Sequence, residues 1–136
     1  RFKSLIFILL FIEIALFPKN IYSKSNITPK PFENAVKYVS ENKLIDKKTS
    51  FNVAMIAHPN AIIGFEYRYF FQKEGYVPLS EFEYSKSEVL YIFTQKKDLD
   101  LSTLNSWEIQ QFGKEYLKGA QKYKSDKTTI YKVTKK

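Results

Sequence analysis

The sequence predicts an α/β domain, a sheet of four or five strands with packed helices, preceded by one N-terminal hydrophobic helix. Three observations carry that expectation. Two short β-rich runs, Phe51 to Ala57 (FNVAMIA) and Glu88 to Gln95 (EVLYIFTQ), have the length and composition of buried strands. Segments with three- and four-residue apolar spacing precede and separate them, so helices and strands alternate along the chain. A block of thirteen residues with almost nothing polar in it, Leu5 to Phe17 (LIFILLFIEIALF), stands ahead of all of this.

That first block decides the expected topology. Arg1 and Lys3 precede it, and a basic flank before an apolar run reads as a membrane-inserted segment whose N-terminal end stays on the cytoplasmic side. Residues after about 22 are then extracytoplasmic. As a helix, Phe2 to Phe17 covers about 24 Å against a hydrocarbon core of roughly 30 Å, which is short for a full span. Its Leu, Ile and Phe residues each contribute about −0.3 to −0.6 kcal/mol, and Glu13 opposes them by roughly 2.5 to 3.5 kcal/mol if central. The apolar gain wins, and the balance favours a span over a signal peptide cleaved near Ile21-Tyr22-Ser23. Glu13 suits the last helix of a polytopic protein, where it can face other helices. Arg1 in place of an initiating Met leads us to expect a processed form or the tail of a longer chain.

Pro18 to Pro31 (PKNIYSKSNITPKP) has no apolar periodicity and three prolines. The expected organisation is therefore a transmembrane helix or signal-anchor over 1–22, a linker over 23–31 and one extracytoplasmic domain over 32–136. Within the linker, Asn26-Ile27-Thr28 is a formal glycosylation acceptor. In the domain, Phe32, Ala35, Val36 and Val39 mark an amphipathic helix over 32–43. The first strand, 51–57, stops at His58-Pro59-Asn60.

Residues 61–74 carry two periods at once, because Phe65, Tyr67, Tyr69 and Phe71 alternate while Ile62, Phe65 and Tyr69 follow helical spacing. The boundaries favour a helix: Asn60 is a good N-cap and Lys73-Glu74-Gly75 a good ending. In that helix Phe65 and Tyr69 are expected to be buried, with Glu66 and Arg68 on the wet face. Tyr76 to Tyr84, interrupted by Pro78, reads as an edge strand. The 88–95 run is the clearest strand in the chain. Trp107 to Phe112 fits a strand or a helical turn closed by Gly113. Lys114 to Tyr123 has helical composition despite Gly119, and Thr128 to Thr134 alternates as a final strand.

The formal charge of +8 suggests nucleic acid only until it is located. Residues 25–113 carry ten basic and eleven acidic side chains, whereas 114–136 carry eight and two. The centre is nearly neutral; the lysine-rich end offers charge to phosphate or an anionic lipid surface but reads first as a solvated surface, and nucleic acid is not an expected partner. Without cysteine there is no disulfide and no thiolate metal site, and stability rests on an apolar core rich in aromatics, ten Tyr and twelve Phe. About 110 residues after the apolar block suffice for one domain and not for two.

The catalytic inventory is thin. His58, the single histidine, ends the first strand, where α/β sheets place binding groups, although His58-Pro59-Asn60 also reads as loop punctuation before a capped helix. One histidine and no cysteine leave any zinc site dominated by carboxylates. No G-x-S-x-G elbow is present, and the four glycines form no phosphate-cradling loop. Glu81 with Glu83, and Asp98 with Asp100, share one face of extended segments but read as solvated carboxylates. The aromatic cluster at 65–71 offers faces that stack sugars or bases, and core packing accounts for most of it. The binding candidates are His58, Asn60, Tyr67 and Arg68. No catalytic residue, cofactor or metal is expected in this chain.

The order of pieces resembles a known architecture. A last hydrophobic segment and Pro-containing linker precede N-A-V-K-Y-V (Asn34 to Val39). A-I-I-G-F-E-Y-R-Y-F-F-Q-K-E-G-Y (Ala61 to Tyr76), E-V-L-Y-I-F-T-Q (Glu88 to Gln95), W-E-I-Q-Q-F-G (Trp107 to Gly113) and a terminal I-Y-K-V (Ile130 to Val133) follow. Together they resemble the C-terminal region of polytopic membrane glycosyltransferases of the GT-C type, the relatives of dolichyl-phosphate-mannose protein mannosyltransferases and lipid A aminoarabinose transferases. The resemblance implies a parent enzyme that uses a polyprenyl-phosphate sugar donor, with its catalytic acid in the first extracytoplasmic loop. No residue here matches that loop, so the implied role is accessory. The contrasting expectation is a secreted or membrane-anchored binding domain with no enzyme attached.

Overall fold

The structure, a computed structural model, describes residues 28–56 and 64–135. The expected hydrophobic helix, nearly all of the linker, and His58 and Asn60 lie outside the described residues. The elements run α1 (Lys30–Glu41), β1 (Phe51–Ile56), α2 (Phe65–Lys73), β2 (Val89–Thr94), α3 (Trp107–Phe112), β3 (Gln121–Ser125) and β4 (Thr128–Thr134). Short 3₁₀ turns occupy Tyr84–Lys86, Leu101–Thr103 and Lys114–Gly119. The expected α/β class holds, with a four-stranded mixed sheet in the order β1-β2-β4-β3. β1 and β2 are parallel, Phe51 opposite Val89 and Ile56 opposite Thr94, and the pairs β2/β4 and β3/β4 are antiparallel.

Both faces of the sheet are covered, which is why β1 and β2 are continuous apolar runs and not alternating ones. On one face Phe51, Val53, Tyr91, Phe93 and Ile130 pack under α1 and α2. On the other, Ala54, Leu90, Ile92, Tyr131 and Val133 pack under α3, Tyr84 and Leu117. The helix expected over 32–43 forms as α1, with Phe32, Ala35, Val36 and Val39 buried along one stripe. It stops where the Asn42 side-chain amide donates to Tyr38 O and Lys43 turns into the left-handed region at φ 55°.

α2 corrects three expectations. The helix starts at Phe65, because Gly64 immediately before it sits at φ 63°, a left-handed conformation with no side-chain cap. Phe65 and Tyr69 are 53 % and 61 % exposed, while Tyr67, Phe70 and Phe71 are buried. Helical spacing offers two aromatic stripes on opposite sides of this segment, and the larger one faces the sheet. Arg68, expected on the wet face, is only 7 % exposed.

Two further expectations change. Tyr76 to Tyr84 forms no strand; Pro78 has no N–H to give a ladder, and the segment touches β1 through one backbone bond, Leu79 N to Phe51 O at 2.9 Å. Residues 114–123 divide into the 3₁₀ turn and β3, since the exposed Gly119 ends the helical geometry before Gln121. Trp107 to Phe112 resolves as a helix, closed by Gly113 at φ 118°, where a Cβ would lie 2.8 Å from the Tyr116 ring.

Several chain ends meet where the parallel strands finish. Ile56, Thr94 and Thr129 are aligned across the sheet, and the β3–β4 turn adjoins them. Ser125 Oγ donates to Asn34 O in the first turns of α1 at 3.4 Å, and Gly64, at the head of α2, packs against Met55. The chain therefore enters both α1 and α2 at the carboxyl end of β1 and β2.

Candidate functional site

Tyr67 is a core residue. Its ring stacks on Phe93 with centroids 3.9 Å apart and meets Phe32 edge-on at 5.0 Å. Burial pushes its phenol up to about 12, partly offset by a hydrogen bond with Thr128. Such a group is neutral and offers no face to a ligand.

Arg68 leaves the face on which α2 lies and reaches round the outer edge of β1. Its Nη1 donates to Leu79 O at 2.6 Å, and its Nη2 donates to Asn52 Oδ1 and, at 3.2 Å, to the Tyr84 hydroxyl. Tyr84 passes its own proton to Val53 O at 2.7 Å, and Asn52 Nδ2 donates to Ser80 O at 3.0 Å. The guanidinium carbon lies 5.7 Å from the Tyr84 ring centroid. Among the described residues Arg68 has no carboxylate partner, and its Nε is buried without a hydrogen bond. The cluster satisfies backbone groups along β1 and in the 79–80 segment beside it; desolvation holds the Tyr84 phenol above its ordinary value. These contacts make Arg68 a clip on the sheet edge.

An open surface lies between α1 and α2. Pro29, Phe32, Phe65, Glu66, Tyr69 and Phe70 line a groove of about 380 Å³. Phe65 and Tyr69 expose their rings, and Tyr69 stands edge-on to Phe70 at 5.1 Å. Glu66 contributes a carboxylate oxygen, Oε2, that is buried and lacks a hydrogen-bond partner among the described residues. Nearby, Glu33 Oε1 receives Lys73 Nζ at 3.1 Å and Lys37 Nζ at 3.4 Å, and these lysines hold the Glu33 carboxyl below its usual range.

Chemically the groove offers flat aromatic faces and one acceptor-only group. Among the described residues lining it, no nucleophile is paired with a base. Among the described residues no three His, Cys, Asp or Glu side chains are grouped to hold a metal ion, and no helix is long and apolar enough to cross a membrane. Of the sequence candidates, His58 and Asn60 lie outside the described residues, Tyr67 is placed in the core and Arg68 at the β1 edge; the groove is lined by Phe65, Tyr69 and Glu66. A second reading of the helical period, with the stripe at 67, 70 and 71 turned inward, was the signal that would have found them. Comparison with protein-family models, curated protein sequences and solved structures finds no match.

Proposed function

We propose that this domain is the C-terminal extracytoplasmic accessory part of an integral-membrane glycosyltransferase with a polyprenyl-phosphate sugar donor, and that it handles the carbohydrate portion of the acceptor. Catalytic residues belong to the parent enzyme and not to this segment. The observation that supports the reading is the aromatic groove between α1 and α2. Aromatic faces stack against the C–H surfaces of a sugar ring, and a carboxylate in the groove lining accepts its hydroxyl protons, so Phe65, Tyr69 and Glu66 combine the two contacts a glycan uses. The resemblance of the segments from Asn34 to Val133 to such transferases supplies the reaction context.

The test is a backbone NMR titration with neutral oligosaccharides. Shift changes are expected at the first turns of α1 and α2, and Phe65→Ala and Tyr69→Ala should abolish them while leaving the remaining spectrum in place. Absence of any shift at millimolar glycan would refute the acceptor role. The groove equally suits a secreted or membrane-anchored binding domain without an attached enzyme. Upstream coding sequence separates the two: further hydrophobic segments support the transferase, and a Met one or two codons before Arg1 supports the binding domain.

A further inference from the structure

We propose that the sheet end carrying the β3–β4 turn is a bilayer-facing surface whose lysines bind anionic phospholipid headgroups. Lys97, Lys122, Lys124 and Lys127 line one groove of about 530 Å³, with Asp126 its single carboxylate. The arrangement follows from the fold. Lys122 and Lys124 are alternate residues of β3 and point to one face of the sheet, and the Thr94–Thr129 pairing brings the segment leading to Lys97 alongside. Asp126 adopts φ 51° in the turn, and Lys127 follows it. All four lysines are exposed, and none belongs to an ion pair among the described residues. Four cations around one carboxylate make a concentrated positive patch in a domain whose residues 25–113 are nearly neutral.

The position of the patch selects the partner. It lies at the end of the sheet where the chain enters α1, tied there by the Ser125 contact to Asn34. Pro29 stands twelve residues after Phe17, the last residue of the apolar block, a separation that spans at most about 43 Å when fully extended. Phe65, which heads α2, exposes its ring at this same end of the sheet, and an exposed aromatic at the end that carries the lysines suits the interfacial zone of a bilayer. A juxtamembrane lysine strengthens binding to an anionic surface by about fivefold, so a cluster of four holds a tethered domain firmly even though one lysine does not. The inference rests on the reading of this chain as membrane-tethered.

The experiment uses the full chain in nanodiscs of phosphatidylcholine, with or without phosphatidylglycerol, and a headgroup spin label. Amides of Lys97 and of residues 122–129 should broaden in the anionic discs, and much less in neutral discs or at high salt. The variant K97E/K122E/K124E/K127E should lose the broadening with its melting temperature unchanged. If that variant fails to fold, the lipid and salt dependence of the unaltered chain still decides. A chain embedded in both discs whose hairpin amides ignore phosphatidylglycerol would overturn the surface and leave the tether standing. If the chain does not enter discs, the tether reading fails by itself. Salt-sensitive sedimentation of the free chain with phosphatidylglycerol vesicles would then still support the surface, and no sedimentation would overturn it. Equal retention by a single-stranded RNA would also overturn it, because the patch would then be a general polyanion binder.

Discussion

Replacing Arg68 by Met tests whether the clip on the β1 edge holds the fold. Met keeps most of the aliphatic stem and removes three hydrogen bonds, to Leu79 O, Asn52 Oδ1 and the Tyr84 hydroxyl. Bonds from a charged donor are worth about 1.5 to 3 kcal/mol each, so the gross loss is roughly 5 to 9 kcal/mol. Part of it returns. The guanidinium is buried without a carboxylate, its Nε is unpartnered, and its removal relieves several kcal/mol of desolvation. Asn52 Oδ1 keeps the Val53 amide at 2.9 Å and the Tyr84 hydroxyl keeps Val53 O, which leaves Leu79 O as the acceptor stripped of its Arg68 bond. A net destabilisation of about 2 to 4 kcal/mol follows. Urea denaturation followed by circular dichroism measures it on a 25–136 fragment, which contains both hydrophobic clusters of the described residues, Phe32 to Val133. Tyr84→Phe and the double variant complete a cycle with an expected coupling of about 0.5 to 3 kcal/mol. A loss under about 1 kcal/mol with no coupling would show that desolvation cancels the bonds and that the clip contributes nothing.

Two further outcomes use the same fragment. Phe71→Ala, at a site with 0 % exposure, should cost about 3 to 5 kcal/mol, and Phe65→Ala, at 53 % exposure, under about 1 kcal/mol; equal costs in the two melts would mean that α2 is rotated from the orientation described. Tyr67 has its phenol raised from the ordinary 10.0 to about 12, so its neutral form is the one folding favours. The corresponding stability is complete below pH 10 and is lost as pH climbs through 12. Tyr67→Phe should flatten that part of the pH profile, and denaturation midpoints that decline identically in both proteins would exclude Tyr67 as the cause.

Helix and strand types were legible where one physical signal acted alone. Phe32, Ala35, Val36 and Val39 admit one helical stripe, and Val89 to Thr94 is buried on both faces, so local pattern and tertiary environment agree there. α2 shows the limit. Its aromatic residues satisfy two stripes, and the choice between them depends on where the helix sits over β1, a fact that no local period contains. The burial of Arg68 was illegible for a related reason. Its partners are the Leu79 carbonyl, the Asn52 side chain on β1 and the Tyr84 hydroxyl in the first 3₁₀ turn, eleven to sixteen positions away in sequence. The open groove was hidden by the general rule that aromatics go inside, a rule that the 67, 70 and 71 stripe already satisfies.

The two edges of the sheet are closed by different chemistry, and the difference bears on the lysine surface. A free strand edge invites pairing with another chain. β1 avoids this because Leu79 N and the Tyr84 hydroxyl donate to its Phe51 and Val53 carbonyls, while Arg68 holds Leu79 and Tyr84 in place and that side is covered. Among the described residues β3 pairs with no strand but β4, and its sequence QKYKS places Lys122 and Lys124 on that edge strand. Edge lysines alone would explain those two residues. They do not explain Lys97, which follows β2 in the sheet interior, or Lys127, which lies in the turn, yet both line the same groove. The convergence of cations from three separate segments, beside a chain entrance that leads back to an apolar block, is what edge protection leaves over, and it is the part of the patch that an anionic surface accounts for.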